Sequence, residues 1–152
     1  MKDILDKISS YNIFNYLLPG IIFVCISKYF TNYDFIQAND FIGAFLYYFI
    51  GMVISRFGSL CIEPILRRIS FVKFADYSNY DATSKKDKKV DTLSEVNNTY
   101  RTIIAMVVIL LVLKIYNHFQ VLWSIPIHIT YLIIVLFLLV LFLFAFHQWA
   151  SI

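Results

Sequence analysis

Residues 127–146 read IHITYLIIVLFLLVLFLFAF, twenty positions without one Asp, Glu, Lys or Arg. A hydrocarbon core of about 30 Å takes roughly 20 residues of helix to cross, so this stretch is a transmembrane span. Trp123 and Trp149 bracket it. Their 26-residue separation corresponds to about 39 Å of helix, the distance between the two interfacial belts that amphipathic rings favour.

Three further blocks of the same kind precede it. Residues 13–30 form a first span, interrupted by Pro19-Gly20, where a missing backbone donor predicts a kink. Residues 41–62 form the second, ended or kinked by Glu63-Pro64, and residues 101–119 the third, with Lys114 snorkelling to the far interface. The composition agrees. At 60% hydrophobic and 15% charged, the 152-residue chain is more apolar than a water-soluble domain, and the excess must face lipid.

The remaining segments are connectors. Residues 1–12 open with Lys2-Asp3-Ile4-Leu5-Asp6-Lys7-Ile8, which sets Ile4, Leu5 and Ile8 on one helical face, as in a short interfacial helix. No small-residue cleavage site follows, so this stretch does not read as a secretory signal. TNYDFIQAND at 31–40 carries two Asp and no base. Residues 67–100 form a polar connector of about 34 residues, the one segment expected to work in water. The expected fold is an all-α integral membrane protein: an interfacial helix at 1–12, two spans within 13–66, a cytoplasmic loop at 67–100 and two spans within 101–152.

Charge sets the direction. Arg67, Arg68, Lys73, Lys85, Lys86, Lys88 and Lys89 place seven of the 13 basic residues in one connector, and the other two connectors hold none. The positive-inside rule makes that connector cytoplasmic, and with two spans on each side of it both termini lie in the cytoplasm.

Arg56 falls within the second span, where a charge near a helix centre costs about 2.5–3.5 kcal/mol; the eleven Ile, Leu, Phe and Val residues of 41–62 return roughly 3–7 kcal/mol, so insertion stays favourable. Arg56, Ser59 and Glu63 share one helical face, with Gly51, Ser55 and Ser59 forming a small-residue run beside it. Arg101, at the start of the third span, is expected at the depth of Glu63. The expectation is a buried polar cluster of Arg56, Ser59, Glu63 and Arg101 that serves either helix registration or an ion path.

The loop offers a surface of Phe71, Lys73, Phe74, Tyr77, Lys85, Lys86, Lys88 and Lys89. It could lie on lipid or dock a protein. Its basic run is short and broken by Asp87, which argues against nucleic acid. Cys25 and Cys61 lie in apolar blocks and read as small hydrophobes. His118, His128 and His147 have no metal-ligand spacing, and no phosphate loop or nucleophile elbow is present. No catalytic residue, cofactor or metal is expected.

Taken together, Leu18-Pro19-Gly20, Ser55-Arg56-Phe57-Gly58-Ser59, Glu63-Pro64, Phe74-Ala75-Asp76-Tyr77 and Ser94-Glu95-Val96-Asn97 resemble small uncharacterised multi-pass proteins of bacteria. The resemblance implies a bacterial inner-membrane location and, by analogy, pairing with a soluble partner in antiviral defence. The resulting expectation is a non-enzymatic, self-assembling inner-membrane protein that couples a cytoplasmic partner to the lipid bilayer, as an anchor or a membrane-perturbing effector. The alternative is a small ion channel or proton-coupled transporter.

Overall fold

The computed structural model describes residues 12–71 and 89–150. The expected interfacial helix therefore lies outside the described residues except for Asn12. Every regular element described is helical: π1 (Ile13–Leu17), α1 (Leu18–Phe30), α2 (Asp40–Phe57), π2 (Gly58–Ile62), α3 (Glu63–Arg68), α4 (Lys89–Leu122) and α5 (Ile127–Ala150). They combine into four helices long and apolar enough to cross a membrane, Ile13–Phe30, Asp40–Arg68, Thr92–Leu122 and Ile127–Gln148.

Neither proline ends its helix, so the end expected at Glu63-Pro64 is not found. Pro19 and Pro64 each lie two residues beyond a single π turn, and both helices run on through them. A proline ring collides with the carbonyl four residues back and cannot hydrogen-bond to it. Widening the preceding turn relieves the collision: Leu18 N–H reaches the Ile13 carbonyl, and Glu63 N–H the Gly58 carbonyl, each five residues back. The second span accordingly ends at Arg68 rather than at Ile62.

Two helix ends close in the same way. Ser70 N–H bonds Arg67 O and Phe71 N–H bonds Leu66 O, while Ser124 N–H bonds Val121 O and Ile125 N–H bonds Gln120 O. These are Schellman caps, with Ser70 (φ 57°) and Ser124 (φ 50°) in the left-handed position usually given to glycine.

The third helix differs most from expectation. Residues 89–100 look like loop by composition, yet they form the first turns of α4, which runs unbroken for 34 residues. No proline or glycine lies between Lys89 and Leu122, so nothing interrupts the hydrogen-bond ladder once the apolar part has nucleated it. The long connector is thereby shortened, and about 18 Å of polar helix extends beyond Arg101.

The first two helices cross antiparallel at close range. A methyl group on Gly20 would stand 1.8 Å from the Tyr47 carbonyl oxygen, and one on Gly51 would stand 1.7 Å from that of Tyr16. Only glycine permits this approach, the small-residue packing that holds helices together where lipid removes the hydrophobic driving force. Gly58, in π2, similarly lets α4 approach at Arg101 and Ala105. The core these three helices enclose is Phe23, Val24, Ile54, Ile62, Ala105, Met106 and Leu110. The fourth helix is peripheral. It leans on α2 through Phe49–Phe142 and Phe57–Phe137 ring contacts at 6.4 and 6.2 Å, and most of its side chains remain exposed.

Candidate functional site

The Gly20 and Gly51 contacts pair residue 20 with 47 and 16 with 51, which sets Ile13 level with Ile54. Arg56 is then level with the N-terminal end of the first helix, about 16 Å along the axis from that helix's midpoint. Within its own helix, Asp40–Arg68, Arg56 lies near the midpoint. The second helix overhangs the first at this end. The Arg56 side chain is exposed and has no ion-pair partner among the described residues.

Two polar layers form at this end of the bundle. In the outer one, Glu63 bridges two arginines: Arg101 Nη1 donates to Oε2 at 2.5 Å, and Arg67 Nη2 donates to Oε1 at 2.6 Å. The Glu63 and Arg101 side chains are only 17% and 18% exposed, against 55% for Arg67, so the inter-helix bond is the one shielded from solvent. Arg101 follows from the close approach at Gly58, since α4 backbone packed against π2 leaves its guanidinium pointing along α3. Arg67 follows from i, i+4 spacing on α3. The structure thus brings together Glu63 and Arg101 and leaves Arg56 apart. Ser59 bonds back to its own helix, Oγ donating to Ser55 O at 3.3 Å or Arg56 O at 3.1 Å.

The inner layer joins three helices. Asn15, Ser55 and Thr102 are all buried. Asn15 Nδ2 donates to Ser55 Oγ at 3.2 Å, Thr102 Oγ1 donates to Asn15 Oδ1 at 2.8 Å, and the two hydroxyls are 3.2 Å apart. With the Thr102 hydrogen on Asn15, the Ser55 hydroxyl can donate to Thr102 and close a ring in which each group gives one hydrogen bond and takes one. None of the three carries a titratable charge. The ring can register helices, and it has no acid or base with which to move a proton.

Thr102 was hidden from sequence reading because a lone threonine in an apolar run has no periodic signal. Asn15 gave a weak one, as an amide near the start of a span. The signal that could have joined them is the small-residue run containing Ser55, which marks the face where another helix's polar group must sit.

A third polar group occupies the opposite end. Tyr33 Oη donates to Gln120 Oε1, Gln120 Nε2 donates to Thr130 Oγ1 at 3.1 Å, and Tyr116 Oη lies 3.0 Å from Thr130 Oγ1. Burial, and then the neighbouring Tyr116, raise the Tyr33 phenol above its ordinary pKa, against a smaller lowering by Thr130. Beside it Asp34 takes the Ile36 N–H at 3.0 Å and pairs with Lys28 at 3.1 Å.

Of the loop surface, Phe71 is exposed, and Lys89 is exposed at the start of α4 and takes part in an interaction. Lys73, Phe74, Tyr77, Lys85, Lys86 and Lys88 lie outside the described residues. Among the described residues no three His, Cys, Asp or Glu side chains gather as metal ligands. Comparison with protein-family models, curated proteins and solved structures finds no match to this chain.

Proposed function

We propose that this chain is a non-enzymatic membrane anchor that self-assembles and presents its α4 extension to a cytoplasmic partner. One observation carries the reading. Beyond Arg101, where the bundle ends and water begins, Leu93, Val96 and Tyr100 are 67%, 41% and 62% exposed. Their i, i+3, i+7 spacing makes one apolar stripe, and Ile103 and Val107 continue it into the apolar part of the helix. Lipid can cover the lower part of that stripe, and protein is what covers the upper part.

A second copy is the simplest cover. All copies share one orientation in the bilayer, so a two-fold axis along the membrane normal brings identical stripes together in register. The flanking positions Thr92, Asn97, Thr99 and Ile104 carry no charge that would repel. Both termini face the cytoplasm in this reading, in a bacterial inner membrane, and a membrane-perturbing output in antiviral defence is its finer form.

The channel or transporter alternative draws less support. Between the Asn15 layer and the Tyr33 layer, the enclosed side chains include Phe23, Val24, Met106 and Leu110, an apolar interval within one bundle. The test is cysteine cross-linking in lipid, with Cys25 and Cys61 replaced by Ser. Leu93→Cys, Val96→Cys and Tyr100→Cys are expected to give disulfide dimers, and Glu95→Cys, off the stripe, is not. Equal cross-linking at all four positions, or at none, would remove the self-assembly reading.

A further inference from the structure

At the end of the bundle away from the α4 extension, a cleft of about 300 Å³ opens between the connector of the first two helices and the end of α4. Val121, Ile125 and Ile127 form its apolar side, and Asn32, Tyr33, Asn117 and Gln120 line the rest. No charged residue among those described lines it; Lys28 pairs with Asp34 at 3.1 Å, and Lys114 rests over the Phe30 ring at 5.3 Å. The cleft therefore suits a neutral group. Thr130, bonded to Gln120 at 3.1 Å, sets it level with the first turn of the charge-free span 127–146. That span matches about 30 Å of hydrocarbon, so its first turn lies where acyl chains meet their ester linkages.

Asn117 supplies the hydrogen bonds this cleft has to offer. Its side chain belongs to a residue only 8% exposed, and the Asn32 N–H, at 3.4 Å, fixes Oδ1 toward the connector, since a flipped amide would set donor against donor. The two Nδ2 hydrogens are left without a partner among the described residues. Of those residues, only Arg101 has a fully enclosed side-chain nitrogen or oxygen without a partner, so Asn117 Nδ2 opens onto the cleft it lines. Gln120 and Tyr33 are already bonded to each other, and Gln120 to Thr130 as well. At this depth water is scarce and an unmade donor is costly. The acceptors a bilayer supplies there are ester carbonyls.

We propose that this cleft seats the ester-linked glycerol segment of one lipid, with an ester carbonyl accepting from Asn117 Nδ2 and an acyl chain along Val121 and Ile127. Its volume is at the lower end for small-molecule pockets, enough for a segment of a lipid rather than the whole. The site rests on the membrane-crossing reading and is independent of self-assembly. With no charge in its lining, the cleft discriminates by linkage: an ester offers a carbonyl acceptor, and an ether of the same headgroup and chains does not.

Native mass spectrometry of the full chain, released from vesicles of dioleoyl phosphatidylcholine and its dioleyl ether analogue in equal amounts, tests the proposal. The expected result is one retained lipid per chain, with ester favoured over ether by roughly threefold to fifteenfold, the ratio that one hydrogen bond in a membrane supplies. Asn117→Leu should bring the two lipids to parity. Val121→Trp, at a position already 64% exposed, fills the apolar side and should lose both. Circular dichroism of each variant checks that folding is kept. Equal retention of the two lipids by the wild type, an unchanged ratio in folded Asn117→Leu, or undiminished retention in folded Val121→Trp would overturn the lipid site. A chain that does not partition into the vesicles at all would overturn the membrane reading instead.

Discussion

Gly20 and Gly51 meet across the crossing of the first two helices so closely that a methyl group on Gly20 would stand 3.1 Å from the Gly51 nitrogen. The obstacle on each side is a carbonyl, Tyr47 O for Gly20 and Tyr16 O for Gly51, and backbone cannot rotate out of the way as a side chain does. Tyr16 belongs to π1, so the turn that accommodates Pro19 also supplies the surface on which Gly51 rests.

Gly20→Ala and Gly51→Ala should therefore each destabilise the bundle by about 1–3 kcal/mol or more, as overpacking does. Gly43→Ala is the control, because its added methyl meets only the Tyr47 ring at 3.3 Å and that ring can shift. Thermal unfolding in detergent should rank the three, and a Gly20→Ala protein as stable as Gly43→Ala would contradict the close crossing.

The Glu63 bridge makes a graded prediction. Glu63→Gln leaves Arg101 shielded beside a neutral amide and should cost about 1–3 kcal/mol, below the cost of breaking a fully buried pair because both side chains are partly exposed. Arg67→Ala removes the half-exposed partner and should cost under about 1 kcal/mol. Arg56→Ala should change stability hardly at all, since Arg56 has no partner among the described residues. If Arg56→Ala proved the most damaging of the three, its placement outside the Glu63–Arg101 bridge would be wrong.

How much of this was legible in the sequence depends on range. Four apolar helices follow from hydropathy, and the pairing of Glu63 with Arg101 follows from charge and depth. The level of Arg56 against the first helix was not legible, because it depends on a register set by Gly20 against Tyr47. Hydropathy also hid the first turns of α4, because a helix can pass from apolar to polar sequence without changing its backbone.

The buried ring of Asn15, Ser55 and Thr102 should act as one unit. Asn15→Leu or Thr102→Val alone breaks the bond between the two and should cost about 0.6–1.7 kcal/mol, from the mean to the maximum for hydrogen bonds between membrane helices. The double variant should cost less than the sum, because the second change acts on a bond the first has already broken. Strict additivity in a double-mutant cycle would show that the three groups are not coupled.

Acid should loosen the connector between the first two helices. The Ile36 N–H, and then Lys28, hold the Asp34 carboxyl below its ordinary pKa of 3.8. A depressed carboxyl stabilises the folded state fully above its unfolded pKa, and that contribution fades as the pH falls through the folded value. Lowering the pH from about 5 to about 3 should therefore reduce the unfolding temperature of the wild type more than that of Asp34→Asn. Equal acid sensitivity would place the titrating groups elsewhere.

Ser70 and Ser124 make the one prediction of gain. Each holds a left-handed backbone that costs an L-residue roughly 1–2 kcal/mol, and in each cap the bonds that fix this conformation are made by backbone groups. Ser70→Gly and Ser124→Gly should thus relieve the strain while keeping both caps. The greater freedom of glycine in the unfolded chain returns part of that gain, leaving a net stabilisation of up to about 1 kcal/mol. Alanine at either site keeps the strain and should not stabilise. A thermal midpoint raised by glycine but not by alanine would establish that the strain is stored in the backbone at these turns, and equal responses would locate the effect in the lost serine hydroxyl.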